Sequence, residues 1–445
     1  APDWTHLLPK IVAIAGVLVA TSCVAALSGM GVQLLKGYTR FEPVAYALWF
    51  VWPTVVLSLQ LAVLSVFVQV MVPQKFIGWG VMLVYLVASI ALASAGFEHN
   101  LYNYGGTPPV PLSDLNGMSR FWVGAAWLQV YWSGFALMLA VAAYVLWRRG
   151  VTTALRPRLA TARRKLKGPA LGLGLTGLLV WTGSGAWIFY NTNVLNTYRT
   201  APDHDRELAA AERELLPFET LPMPRITAVT LDVQLYPRDA RAVTTGRWRV
   251  ENRSGVPIGE LHFNWPDRVT LDRLDVPGGT LKKDYGPRWP YRIVGLATPL
   301  QPGQTLEIAF TTTLQERGFP NGAPLTRIVD NGSFVNNAEL EPHLGMSRDG
   351  LLVDRAKRRK HGLPPDLRPP TLEDDSGRRR SVFSANSDWV DADITVTTDA
   401  DQTPVAPGYT LSDEVKGHRR SVHFEPDAPI NHFFSIQSAR YGVKH

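Results

Sequence analysis

The sequence is poor in cysteine and, over its first 190 residues, in charge. Cys23 is the only cysteine among 445 residues. A single thiol excludes a disulfide framework within the chain and a thiolate metal cluster. Set in an apolar run, it reads as a small packing residue. Residues 1 to 190 carry 17 charged side chains, 13 basic and 4 acidic, whereas residues 191 to 445 carry 66, 32 basic and 34 acidic. The net charge of +7 is therefore +9 in the first part and −2 in the second. A basic excess confined to the apolar part points to membrane topology, and nucleic acid is not an expected partner.

Catalytic signatures are missing too. The chain has no HExxH, no GxSxG elbow, no Cys/His pair and no P-loop. His418 and His423 are five apart across an expected turn and strand, a spacing without ligand geometry. Glu341 and His343 in "EPHLG" are an isolated pair. No catalytic residue and no metal ligand is assigned, and the chain alone is not expected to be active.

Long apolar runs are present instead. About 20 apolar residues cross the ~30 Å hydrocarbon core as a helix. Five stretches qualify, at about 11–30, 45–72, 76–96, 121–147 and 170–190. Ten of the 14 tryptophans fall in this part, among them Trp4, Trp79, Trp122, Trp147 and Trp187 near span ends, as an interfacial belt requires. Gly172, Gly174 and Gly177 form a GxGxxG pattern, but inside an apolar span this reads as close helix packing rather than a nucleotide loop. No ionisable residue lies mid-span. Glu98 and His99 border the third span and read as a solvated interfacial pair.

Orientation follows from the loop between the fourth and fifth spans. Arg148, Arg149, Arg156, Arg158, Arg163, Arg164, Lys165 and Lys167 lie there without an acidic residue. Positive loops stay cytoplasmic, so the N-terminus is expected inside and everything after about residue 190 outside. The same loop could contact anionic lipid or a cytoplasmic partner.

The second part changes rhythm. "APDHDRELAAAERELLPFE" reads as a short helical stalk within a linker at 191–223. From residue 224 the period is two, as in "RITAVTLDVQLYP", and it recurs through "GRWRVENRSG", "YRIVGLATPLQPGQTLEIAFTTTLQ" and "DWVDADITVTTDA". Between about 320 and 380 this rhythm stops. Its basic runs at 355–360 and 378–380 interleave with aspartates and glutamates and predict a solvated, proline-rich loop insertion. The expected fold class is a multi-domain membrane protein: an α-helical transmembrane bundle of five spans (1–190) followed by an all-β sandwich or saddle-like ectodomain (224–445).

The pieces "PRITAVTLDVQLYPRDARAVTTGRWRVENRSG", "PLQPGQTLEIAFTTTLQ", "ITVTTDADQTPVAPGY" and "APINHFFSIQSARYGV" resemble the N-terminal β domain of the aminopeptidase N family of zinc metallopeptidases. With five spans, a stalk and "NGSFVNNAELEPHLGMSRD…RRKHGLPP", the chain resembles bacterial inner-membrane proteins that fuse an ABC-exporter-type permease to such an ectodomain. The resemblance implies a β domain that scaffolds and walls a peptide cleft, and a separate ATP-binding subunit beside the lipid bilayer. It also implies zinc in a following thermolysin-like domain, whose motif Glu would act as general base. No position here matches those ligands. Ala1 in place of Met, five spans instead of six and the strand-like 428–445 predict a fragment that stops before that catalytic domain. The alternative is a membrane-tethered, non-catalytic β-sandwich that binds or docks a partner.

Overall fold

The computed structural model describes residues 3–113, 116–147, 155–286, 289–348, 350–367, 371, 373, 375, 386–442 and 444. The chain forms two units. Unit 1 contains residues 1–112, 120–201 and a short segment, 318–323; unit 2 contains 113–119, 202–317 and 324–445.

Unit 1 is helical. Its elements are α1 (Trp4–Leu35), α2 (Pro43–Ala45) running through a π turn into α3 (Trp52–Met71), α4 (Lys75–Ser94), α5 (Trp122–Val145), α6 (Leu155–Lys165) and α7 (Pro169–Phe189). Among the described residues, five helical stretches are long and apolar enough to cross a membrane: Trp4–Leu35, Pro43–Met71, Lys75–Ser94, Ser119–Val145 and Pro169–Leu195. The first begins seven residues earlier than its apolar run, because Trp4–Lys10 continues the helix with Pro9 tolerated in its opening turns. α5 and α7 approach through glycine. A Cβ on Gly177 would lie 2.9 Å from the Gly134 carbonyl oxygen, and one on Gly134 2.9 Å from the Trp181 nitrogen. Of the three glycines in the GxGxxG pattern, Gly177 alone makes so close an approach, while Gly172 faces open space. Small residues let helix backbones come together where lipid supplies no hydrophobic drive. By contrast α4 buries only Gly78 and turns Trp79, Val84, Val87 and Ile90 outward.

Segment 318–323 belongs to this helical unit. Phe319 is buried with Leu128, Tyr131, Trp132 and Ile188, and its ring lies where a Cβ on Gly124 would meet it at 3.1 Å. Asn321 is held by Asn100, whose backbone N–H and side-chain amide donate to it over 2.8–3.1 Å.

Unit 2 is β-rich. Its strands are β1 (Arg225–Tyr236), β2 (Arg241–Glu251), β3 (Ile258–Asn264), β4 (Val269–Asp275), β5 (Gly279–Asp284), β6 (Tyr291–Leu300), β7 (Thr305–Gln315), β8 (Ile328–Val329), β9 (Gly332–Asn336) and β10 (His343–Leu344). They continue as β11 (Ser387–Asp399), β12 (Thr403–Val405), β13 (Tyr409–Lys416), β14 (Arg419–Glu425), β15 (Ile430–Asn431) and β16 (Ser435–Ala439). One sheet runs β13-β14-β11-β1-β2-β7-β4, with β15 also on β11. Two smaller sheets run β10-β3-β6-β5 and β12-β16-β9-β8. β1 pairs antiparallel with β2 but parallel with β11, so the large sheet is mixed.

Alternation drives the strands: in β1, Val229, Leu231, Val233 and Leu235 are all buried, and in β2 so are Ala242, Trp248 and Val250. These join Ile308 and Phe310 of β7, Ile394 and Val396 of β11 and Ile436 of β16 in one core. Gly246 of β2 sits opposite Phe310, whose ring would be 2.1 Å from a Cβ there. The glycine makes room for the ring.

Unit 2 also takes in the helix expected ahead of the β region. Helix α8 (Ala201–Leu215), read from sequence as a stalk, buries Ala209, Ala211, Glu212 and Leu215 within unit 2. The stretch 320–380 is not a bare loop, for it contains β8, β9, β10 and α9 (Arg355–Lys360). Its first basic run is not wholly solvated. Arg358 is 1% exposed and forms a two-point ion pair with Glu212, both contacts 2.7 Å, while its Nε donates to the Pro364 carbonyl. Lys357 pairs with Asp205 at 3.0 Å, and Arg348 with Glu219 at 2.6 Å. A charge run looks solvated in sequence because partners 146 residues away leave no local pattern. The run at 378–380 lies outside the described residues.

Breaking a buried ion pair leaves the surviving charge unpaired, which costs about 3–5 kcal/mol. Glu212→Ala is therefore expected to lower unit 2 stability by that amount in denaturant titration of the full chain. Glu212→Leu with Arg358→Met, which removes both charges, should recover most of the loss.

Candidate functional site

The basic segment expected between the fourth and fifth spans forms α6, and its cations divide by face. Arg158 is buried and its guanidinium reaches two helix ends. Nη2 donates to the Val70 carbonyl at 2.8 Å, in the last turn of α3, and Nε donates to the Leu146 carbonyl at 2.9 Å, just past α5. Carbonyls in the last turn of a helix lack intrahelical donors and carry its negative dipole end, so a cation there satisfies both. Seven residues on, Lys165 pairs with the buried Asp3 at the start of α1, at 2.7 Å. Arg156, Arg163, Arg164 and Lys167 are exposed. Arg148 and Arg149 lie outside the described residues. Lys10 lies over the Trp147 ring, 4.9 Å from its centre.

Sequence spacing misses a second polar cluster, in the core of unit 2. Glu341 is 1% exposed; its Oε2 accepts from the Trp248 indole N–H at 2.7 Å and lies 3.3 Å from His432 Nε2. Among the described residues, Glu341 Oε1 and His432 Nδ1 have no hydrogen-bond partner. The pair is 91 residues apart in sequence, so only folding brings it together. Both side chains are buried, and the Phe434 ring lies 6.3 Å from that of His432. His343 is not part of it and bonds the Ala338 carbonyl at 2.8 Å. His423 pairs with Asp393 at 3.1 Å, on the large sheet.

Among the described residues, no three His, Cys, Asp or Glu side chains converge as metal ligands would.

Two further histidines are buried. His99, read as a solvated neighbour of Glu98, is instead 2% exposed. Its Nδ1 accepts from the Leu101 N–H, and its Nε2 lies 3.1 Å from both Thr192 Oγ1 and Asn193 Oδ1. Burial lowers its pKa, and the bond to Asn193 partly opposes this. In unit 2, His262 Nδ1 bonds the Tyr291 hydroxyl at 2.9 Å, with the Phe218 ring 4.8 Å away. Burial lowers the His262 pKa as well, against a smaller upward pull from Glu260.

No protein-family model and no curated protein sequence matches the chain. Among solved structures, the M1 zinc metallopeptidase from Deinococcus radiodurans has a TM-score of 0.31 and 13% identity, over 49% of this chain and 42% of that one. A mutant of that enzyme bound to a Tyr-Ser-Ala substrate has a TM-score of 0.32 and 11% identity, over 51% of this chain and 45% of that one. The chain thus spans under half the length of these enzymes, and likeness at this level leaves the functional reading to the residues. The fold and site define a chain that joins five helices long and apolar enough to cross a membrane to a β-rich unit of mixed sheets.

Hydrogen bonds from a charged donor contribute about 1.5–3 kcal/mol each. Arg158→Met is expected to lower the thermal stability of the detergent-purified chain by a few kcal/mol, whereas Arg163→Met should change it by less than about 0.5 kcal/mol. A histidine held neutral contributes stability that is present above the unfolded imidazole pKa of about 6.5 and is lost as pH falls through it. The unfolded chain then takes up a proton that the folded ring refuses. His262→Gln should flatten the dependence of unfolding free energy on pH between about 7 and 5, measured by urea titration.

Proposed function

We propose that this chain is part of a bacterial inner-membrane protein that couples an ABC-exporter-like permease to a zinc-aminopeptidase-like ectodomain. Unit 1 is the permease part, working with a separate ATP-binding subunit. Unit 2 is the scaffold and wall of a peptide cleft, and the zinc and general base belong to an HExxH-bearing domain. The N-terminus and α6 are cytoplasmic, and unit 2 is extracytoplasmic.

The observation that carries this reading is the joining, in one chain, of five apolar helices with a cation-rich α6 beside two of their ends to a mixed-sheet unit with a continuous core. The strand pieces that resemble aminopeptidase N supply the peptidase part. A second reading, a membrane-tethered binding module without chemistry, is favoured by the sealed Glu341–His432 pair, which no substrate could reach.

Topology is tested by single cysteines in a Cys23→Ser background. In intact cells a membrane-impermeant maleimide should label Ser254→Cys but not Arg163→Cys, which should label only after lysis. The opposite pattern overturns the orientation. For the peptidase part, the product of the open reading frame containing this chain should cleave aminoacyl-amide substrates in a chelator-sensitive way. Purified product that cleaves none with zinc supplied favours the binding module.

A further inference from the structure

We propose that the outward face of α6 is a binding surface for anionic phospholipid headgroups, with Arg158 as the anchor that sets its depth. This rests on the membrane reading above.

At about 100° per residue, residues seven apart share a helix face. Arg158 and Lys165 form one such pair, and both are spent on the helical unit, on the Val70 and Leu146 carbonyls and on Asp3. Arg156 and Arg163 form a second pair on the opposite face and are exposed, with exposed Arg164 beside them. Leu159 and Leu166 form a third pair on the flank between; they are 56% and 40% exposed. A helix built only to fix topology needs cations but no such division. Exposed leucines beside exposed arginines are what an interfacial helix presents, leucine to the acyl boundary and arginine to phosphate.

Arg158 supplies the depth. Its guanidinium bonds carbonyls at the ends of α3 and α5, so α6 lies within one side chain's reach of where those helices leave the hydrocarbon. The headgroup layer there is roughly 5–8 Å thick on each side. A helix held at that level meets lipid phosphate before it meets a soluble protein. Guanidinium groups suit phosphate because their fork of N–H donors binds two oxygens at once. No acidic residue lies between positions 155 and 168 to oppose an anion.

The test reconstitutes the full chain in nanodiscs of equal phosphatidylcholine and phosphatidylglycerol, extracts it in mild zwitterionic detergent and measures the retained lipid by mass spectrometry. Wild type should retain phosphatidylglycerol in excess, and high salt should remove the excess. Each exposed cation near an anionic surface contributes about a fivefold preference. Arg156→Gln, Arg163→Gln and Arg164→Gln combined should therefore bring the ratio back to that of the bulk mixture. The corresponding triple lysine variant, which keeps the charge, should retain most of the excess and shows that loss of fold is not the cause. An unchanged ratio in the glutamine variant overturns the proposal. So does a wild-type ratio equal to the bulk with α6 shielded from proteolysis only by an added ATP-binding protein, which would make the face a protein dock. A chain that does not enter the nanodiscs at all removes the membrane reading itself, an outcome distinct from the other two.

Discussion

The parallel pairing of β1 with β11 is the contact on which unit 2 depends. Ala228 through Gln234 run alongside Asp391 through Thr397, while the other edge of β1 pairs antiparallel with β2. A parallel neighbour cannot be reached by a hairpin and needs a long crossover. Here that crossover includes β2 to β10, and with them the whole β10-β3-β6-β5 sheet and strands β8 and β9 of the other. Closing so long a loop costs conformational entropy that only a continuous core offsets. The shared cluster of Leu231, Val233, Trp248, Phe310, Ile394 and Ile436 supplies it.

Burying that core brings polar obligations with it. The Trp248 indole N–H, in β2, is buried away from solvent, and Glu341 is the acceptor that satisfies it. His432 then faces the same carboxylate. The resulting acid–base pair has the composition of a catalytic dyad and none of its access. Its evident work is to hold the segment before β10 and the one after β15 against the large sheet. Glu212 and Arg358 do the same for α8 and α9, where a charge is tolerated inside only because its partner fits it at two points.

In unit 1 the same logic operates at helix ends. Arg158 satisfies carbonyls of two helices with one side chain, and Gly134 with Gly177 lets α5 and α7 meet backbone to backbone. Cations of one short segment thus serve two purposes. Arg158 and Lys165 hold the helices together, and the exposed ones remain for whatever lies outside.

The five apolar helices, the strand-rich second part and the position of the basic segment were legible in the sequence, because each rests on local periodicity or on charge within a few residues. Hydrophobic run length and period-two alternation survive any tertiary arrangement. What only the tertiary structure decided were the pairings across distance: β1 with β11, Arg358 with Glu212, Glu341 with His432, and Arg158 with the ends of α3 and α5. The two-residue strands β8, β10 and β15 are too short to show an alternation, and α8 looked like a free stalk because its ion-pair partners lie 69 to 152 residues onward. A side chain's charge is written in the sequence. Whether it meets water or a partner depends on which distant segment the core brings beside it.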